Sequence, residues 1–595
     1  MDEQQQLNDQ LATTKVLWRL SDLYDSPDDP KLKNDLAWCR DEASKIKAYS
    51  HGQVAQLGPE GLLELIQQLE RLDEVLSKLG TYAFLNFTTQ IDNPKAGALQ
   101  QLIEEESSAC EKQVVFFELE WNLIADDRAA ELLAHATLKH YRHYLSSLRR
   151  FRPHQLSESE EALLLEYAPV GNSAWNTLFD KVIGGLRFGK QKRTEEEVLT
   201  DLYHSDRNVR QTAARDLTAG LKDQSHILTH IFNTLAADKM ISDRLRSHSS
   251  WIEAMNLDNE LSDSTVNALI SAVMDRTDIV RRYYRVKRDL LGLETLSDYD
   301  RYAPIPGLPE TKVGWDECRE MVISAFHDFS PEMAGHANNF FDQQWIHAPI
   351  MHGKRGGAFA HSCVPDVHPY VLVNYTGNIR DVSTVAHELG HGVHQVLAAH
   401  QGHFNSNTPL VLAETASVFA ELLVFQNQLK RLTSPAQQKA FICQKLESIF
   451  ATVFRQVAMN RFEQRMHEGR RELGELSPEL LGRYWMETQR EMFGDSITLS
   501  DDYSCWWSYI PHFLATPGYV YSYAFGELLV LALYQIHLRE GASFAPRYLD
   551  LLAAGGSASP TELLAPFGID LDQADFWQQG LDLIEAMLTQ VEELH

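Results

Sequence analysis

A chain of 595 residues, 44% hydrophobic and 23% charged, is long enough to bury a large core, as roughly two to four domains or as one large helical body. Its 54 basic residues against 83 acidic ones give a net charge of −29, which argues against nucleic acid and against an anionic membrane surface as partners. The six cysteines (Cys39, Cys110, Cys318, Cys363, Cys443, Cys505) are scattered and none forms C-x-x-C, the pattern of reduced thiols rather than of a disulfide framework. The start, Met1 to Gln6, is polar and acidic, and the apolar run Leu528 to Tyr534 is too short to span a bilayer, so a soluble cytoplasmic protein is expected.

In chain order, residues 1 to about 190 read as helices. Leu62, Leu63, Leu65, Ile66, Leu69, Leu72, Val75 and Leu76 recur at helical spacing, and so do Leu102, Val114, Phe117, Leu119 and Leu123 in a second long segment. A third segment runs from about Leu132 to Leu148. Gly184, Gly185 and Gly189 with Lys190-Gln191-Lys192-Arg193 break the pattern, and Thr194-Glu195-Glu196-Glu197 reads as a capped helix start. A domain boundary is therefore expected near 190, separating an N-terminal helical domain (1–190) from the rest (191–595). Helices continue to about 295.

Between about 345 and 378 glycine and proline bracket short segments. Pro369 to Tyr375 is aromatic and β-branched and reads as a strand, with Ala358 to Ser362 as its antiparallel neighbour. A small sheet is thus expected in an otherwise helical body. Its edge, near Gly356, Gly357, Ala358 and Phe359, is a natural place to hold an extended peptide by backbone hydrogen bonds, with a plain structural hairpin as the alternative.

Directly after it comes His387-Glu388-Leu389-Gly390-His391. Val382, Val385, Ala386, Leu389, Val393, Val396 and Leu397 mark one apolar helical face, with Asp381 or Ser383 available to cap the start. Residues four apart share a helix face, so His387 and His391 can grip one zinc ion while Glu388 acts on a water beside it. Gly390 and Gly392 cost helix propensity, about 1 kcal/mol each against alanine, which suggests that backbone or substrate comes close. A catalytic zinc takes three protein ligands and one water. His394 shares the face but lies roughly 10 Å along the axis from His387. The metzincin pattern wants a histidine where Leu397 stands. Glu414, in Leu412-Ala413-Glu414-Thr415-Ala416-Ser417 on a second helix, is preferred as third ligand. Glu421, on the same face, competes with it or orients a ligand histidine.

At this point the chain resembles a known family. Gly353-Lys354-Arg355-x-Gly357-Ala358-Phe359, Pro369-Tyr370-Val371-Leu372-x-Asn374-Tyr375, Arg380-Asp381-Val382, the H-E-x-x-H helix and Ala413-Glu414-x-Ala416-Ser417 are similar, in order and spacing, to the oligoendopeptidase F family of zinc metallopeptidases, relatives of thimet oligopeptidase. The resemblance covers roughly residues 195 to 590. It implies a mainly α, elongated, multi-helical zincin-type body with a deep substrate channel. It also implies one Zn2+ per chain held by His387, His391 and Glu414, and cleavage of short peptides within residues 191–595. In the thermolysin-like arrangement an acidic residue follows the ligand glutamate by four positions. Val418 stands there, so the support of the zinc ligands must be built differently, through Ser417 or Glu421.

The last segment is Ile510-Pro511-His512-Phe513, then Thr516 to Gly526 with Tyr519, Tyr521 and Tyr523. Amide hydrolysis through a tetrahedral intermediate needs hydrogen-bond donors for the oxyanion, and tyrosine hydroxyls and an imidazole are suitable. The segment resembles the family's histidine-and-tyrosine motif, which carries that role over to His512 and to Tyr523, Tyr519 or Tyr521, in that order. Two rival readings stand beside the peptidase: a metal-dependent hydrolase of a non-peptide amide, and a non-catalytic helical binding protein with a vestigial metal helix.

Overall fold

The computed structural model describes residues 3–307 and 312–594. The fold is 73% helical with one small three-stranded sheet, the mainly α class expected. The backbone gathers into two compact units, each built from three separated stretches. The first takes residues 1–152, 310–431 and 536–568, and the second takes 153–309, 432–535 and 569–595. The division expected near 190 does not coincide with these units, because the chain leaves and re-enters each of them and no single cut separates such units.

In the first unit, α1 (Pro59–Thr88) is the long helix that the leucine spacing predicts. It buries Leu62, Leu65, Ile66, Leu69, Leu72 and Leu76 in a core shared with Cys39, Trp121 and Tyr370. The next two predicted segments are broken rather than long. Pro94–Val114 ends before a new helix, Phe116–Leu123, and Ile103 and Cys110 fill the core while Leu102 and Leu123 are exposed. The stretch from Leu132 to Leu148 is likewise split. Its first helix stops at Ala134, where His135 turns extended and accepts from the Thr137 N–H, and Arg142–Arg150 begins afresh.

The expected hairpin is present and gains a third strand. β1 (Ile346–His347) runs parallel to the central strand β3 (Tyr370–Leu372), with Ile346 opposite Val371. β2 (Phe359–His361) pairs antiparallel with β3, Ala360 opposite Val371. The order β1-β3-β2 buries β3 completely and leaves β2 as an edge. From β3 the chain turns straight into α2 (Ile379–Ala398), which carries the H-E-x-x-H motif. Its N-cap is Asn378, in a capping box with Asp381. Asp381 also accepts from the Thr376 hydroxyl and backbone N–H, so one carboxylate fixes the strand-to-helix turn.

α3 (Leu410–Arg431) folds back on α2. It is long and apolar enough to cross a bilayer by length and composition, but most of it is buried inside this unit and it presents Glu414 and Glu421 to α2. The helices meet closely because Gly390 has no side chain: a Cβ there would lie 2.6 Å from the Ala416 carbonyl oxygen and 2.6 Å from Ser417 Cα. Gly392 faces the Phe340 ring at 2.5 Å in the same sense. The backbone approach expected from these two glycines is thus an approach of α3 at one and of an aromatic ring at the other.

The second unit packs around an aromatic core that includes Phe232, Trp485, Trp506, Trp507 and Phe513. α4 (Phe454–Leu473) contributes Phe462 and Met466 to it, and α5 (Tyr521–Glu540) begins within this unit. Thr194 caps the helix Glu195–Asp201 through the capping box read from its sequence.

The Gly390 contact yields a test. Gly390→Ala has to displace α3 backbone and is expected to lose about 1–3 kcal/mol of stability, with weaker zinc binding because Glu414, the third ligand expected from the sequence, moves with α3. Denaturant unfolding and zinc competition titration read the two effects, and an alanine variant with unchanged zinc affinity would show that the approach does not set the site.

Candidate metal centre

The histidines lie four apart on one face of α2, with their rings nearly perpendicular at 82° and centroids 4.8 Å apart. Their Nε2 atoms converge to 3.2 Å. Glu414 Oε2, from α3, lies 3.4 Å from His387 Nε2 and 3.6 Å from His391 Nε2. A tetrahedral zinc with bonds of about 2.0–2.1 Å holds neighbouring ligand atoms about 3.3 Å apart. The three donor atoms therefore already form a triangle of the size a single zinc needs, from the residue types that a catalytic zinc prefers.

Both rings are held from behind. His387 Nδ1 donates to Glu421 Oε1 at 2.7 Å, and His391 is hydrogen-bonded to the Ala413 backbone. Each bond turns Nε2 inward, toward the other two donor atoms. Ser417 Oγ donates to Glu414 Oε2 at 2.7 Å. Both members of the Ser417-or-Glu421 alternative make contacts here: Glu421 holds the His387 imidazole and Ser417 the Glu414 carboxylate. Val418 is a buried apolar residue.

Glu388 is buried at 6% exposure and accepts a hydrogen bond from the Ala360 backbone, which ties it to β2. Burial, with the Glu414 charge adding to it, pushes its carboxyl up to about 7 against the pull of His387. A cation alongside would draw it down again. The two histidines titrate as a pair. Burial disfavours charge on both, but the hydrogen bond to Glu421 and the carboxylates of Glu414 and Glu388 bring one proton onto His387. Burial then keeps His391 neutral, and the charge on His387 reinforces it. His394, one turn further on, is buried and lies outside the triangle.

The predicted substrate loop is shaped by side chains that carried no assigned role in the sequence. Gly356 and Gly357 are exposed, with open space where a Cβ would stand, and Ala358 and Phe359 are half-buried as they enter the edge strand β2. The Asn374 amide donates to the carbonyls of Arg355 (3.0 Å) and Gly357 (2.8 Å). Lys354 buries its ammonium among the carbonyls of His347, Pro349 and Val373, at 3.2, 2.8 and 2.7 Å. The motif residues Lys354 and Asn374 therefore fix the loop from beneath. His361 contacts Thr81, and His368 stacks on Trp345 and pairs with Asp22, so both histidines have structural partners.

In the second unit, His512 is exposed and its Nε2 lies 3.4 Å from the Tyr523 hydroxyl. Tyr519 and Tyr523 are half-exposed, with rings edge to face at 5.0 Å. Tyr521 is different: it is fully buried, and its hydroxyl donates to Asn256 and accepts from Asn259, each at 3.0 Å. The same unit holds another histidine pair with a carboxylate, His154, His248 and Glu253. Those rings stack at 4.0 Å and 13°, so their planes, and the lone pairs lying in them, do not cross at one ion, unlike the pair on α2.

Two histidines and a glutamate converging on a helical scaffold are the donor types of a metallopeptidase class of site. The family model described as peptidase family M3 matches residues 200–583, and one described as oligopeptidase F matches 120–188. Oligopeptidase PepF of Bacillus subtilis is 27% identical over 97% of this chain and 87% of its own length. An oligoendopeptidase F homolog of Lactococcus lactis is 25% identical over 98% of both chains. The crystal structure of oligoendopeptidase-F from Enterococcus faecium superposes with a TM-score of 0.72 over 95% of this chain and 98% of its own, at 22% identity. The chain belongs to peptidase family M3, and it is a metallo-endopeptidase that hydrolyses oligopeptides.

The geometry separates the two glutamates by their expected losses. Glu421→Ala should weaken zinc binding about 10- to 100-fold through a disoriented His387. Glu414→Ala should weaken it further, by removing a ligand. Zinc competition titration of both variants decides, and a larger loss in Glu421→Ala would reverse the assignment.

Proposed function

We propose that His387, His391 and Glu414 hold one zinc ion per chain and that Glu388 is the general base and acid of peptide hydrolysis. One observation carries the reading: the 3.2, 3.4 and 3.6 Å triangle of donor atoms, with Glu388 buried beside it on the same helix. Bound there, zinc supplies Lewis-acid chemistry, acidifying a water and polarising a carbonyl. Glu388 takes a proton from water as attack begins and delivers it to the leaving amine nitrogen, a task suited to a carboxyl whose burial raises it toward neutrality. The open edge of β2, with Gly356, Gly357, Ala358 and Phe359, aligns the substrate backbone by strand addition. His512, Tyr523 and Tyr519 donate hydrogen bonds to the oxyanion. Tyr521, committed to Asn256 and Asn259, supports that segment from below. A cytoplasmic setting is supported by six cysteines that are all unpaired.

Three measurements test the proposal. Glu388→Gln should keep its zinc and lose about 10²- to 10⁴-fold in kcat on a quenched oligopeptide, and an unimpaired variant would remove Glu388 from the mechanism. Chelation should abolish hydrolysis and zinc should restore it, with metal analysis giving one zinc per chain. His512→Ala should lower kcat about 10²- to 10³-fold with zinc content unchanged; full activity would remove it from the set of donors.

A further inference from the structure

The segment that carries Tyr519 and Tyr523 begins with a turn that needs outside support. Gly518 has φ +84°, a left-handed conformation that favours glycine. Its backbone N–H is buried and points down to Glu463 Oε1 on α4, at 2.9 Å. Glu463 is 0% exposed, and its other oxygen has no partner among the described residues. One turn further along α4, His467 stacks on Trp251 (5.2 Å, 15°), and Trp251, Ile252 and Met255 form the wall against Gly518. Three further bonds pin the same segment: the Tyr521 hydroxyl donates to Asn256 and accepts from Asn259, and the Ser522 hydroxyl accepts from Asn259 at 3.2 Å. The residues held from below are therefore 518, 521 and 522, and the ones left half-exposed are 519 and 523.

Of these anchors, Glu463 is the costliest to bury. Burial raises its carboxyl to about 8, with the Gly518 N–H pulling the other way. No salt bridge compensates it among the described residues, only the more distant charge of Lys239, and the hydrogen bond it accepts there comes from the turn. A merely apolar packing position does not call for a carboxyl, whereas an acceptor for a buried backbone N–H does.

We propose that Glu463 is a positioning residue of the peptidase: by accepting the Gly518 N–H from beneath, it fixes the turn that sets Tyr519 and Tyr523 beside His512. The claim rests on the reading of those three residues as oxyanion donors. Glu463 touches neither substrate nor metal ligand, and acts through the turn alone.

The test compares Glu463→Leu with Glu463→Gln in the full-length zinc-loaded protein. Glutamine keeps a carbonyl oxygen for the Gly518 N–H, and leucine fills the space without one. Glu463→Leu should lower kcat about 10- to 100-fold, the scale expected for a misplacement of catalytic groups of about 1 Å. KM and zinc content should change little, and Glu463→Gln should stay within about threefold of wild type in this comparison. Amide hydrogen exchange over residues 513–521 supplies a readout independent of activity: it should accelerate in the leucine variant and stay protected in the glutamine variant. Unchanged kcat in Glu463→Leu overturns the proposal, and so does a glutamine variant as impaired as the leucine one. If His512→Ala is fully active, the donor reading itself has failed. If His512→Ala is impaired while Glu463→Leu loosens the turn without loss of kcat, the failure belongs to Glu463 alone.

Discussion

The metal centre depends on how closely two helices approach. Two histidines on α2 supply only one edge of the proposed ligand triangle, and the third corner comes from α3. The missing side chain at Gly390 lets α3 lie against α2 with its backbone at distances no Cβ could share. The same approach brings Glu414 to the inner nitrogens, Glu421 to the outer nitrogen of His387 and the Ala413 backbone to His391. Four contacts follow from one packing choice, which concentrates the sensitivity of the site at a residue that touches neither metal nor substrate.

That choice has an electrostatic consequence. Glu388, Glu414 and Glu421 converge around two largely buried imidazoles, and like charges in a poorly solvated place oppose folding. One shared proton on the histidines offsets only part of that repulsion. A divalent cation held at the proposed triangle would answer it directly and so link metal binding to folding of the α2–α3 pair. The raised carboxyl of Glu388 belongs to the same balance. It is held near neutrality by burial and by Glu414, the conditions under which a carboxyl can both take and return a proton.

Much of this was legible in the chain because it is local. The H-E-x-x-H helix and the strand Pro369–Tyr375 with its neighbour rest on period and turn chemistry. What could not be read is what depends on distant partners. Leu102 and Leu123 fit a helical stripe and are exposed, since Ile103, Cys110 and Phe117 fill the space available. Units built from three stretches each leave no compositional mark at their borders. Tyr519, Tyr521 and Tyr523 look equivalent at spacing two, and only the Asn256 and Asn259 side chains, more than 250 residues away (265 and 262), distinguish the middle one. Glu463 is similarly silent in sequence, lying 55 residues from the glycine it supports.

The two histidine pairs show why donor type alone does not make a metal site. Both His387–His391 and His154–His248 have a glutamate within reach and both are partly buried. An imidazole binds a metal along a lone pair in its own plane, so two rings serve one ion only when those planes intersect near it. Residues four apart on a helix start from the same face and can cross their planes, and at 82° these do. The other pair is stacked, with Nδ1 of His154 close to the Arg246 carbonyl (2.9 Å) and its ring against that of His248. A shared helix face and a facing helix close enough to supply the third corner set the α2 pair apart as the proposed metal centre.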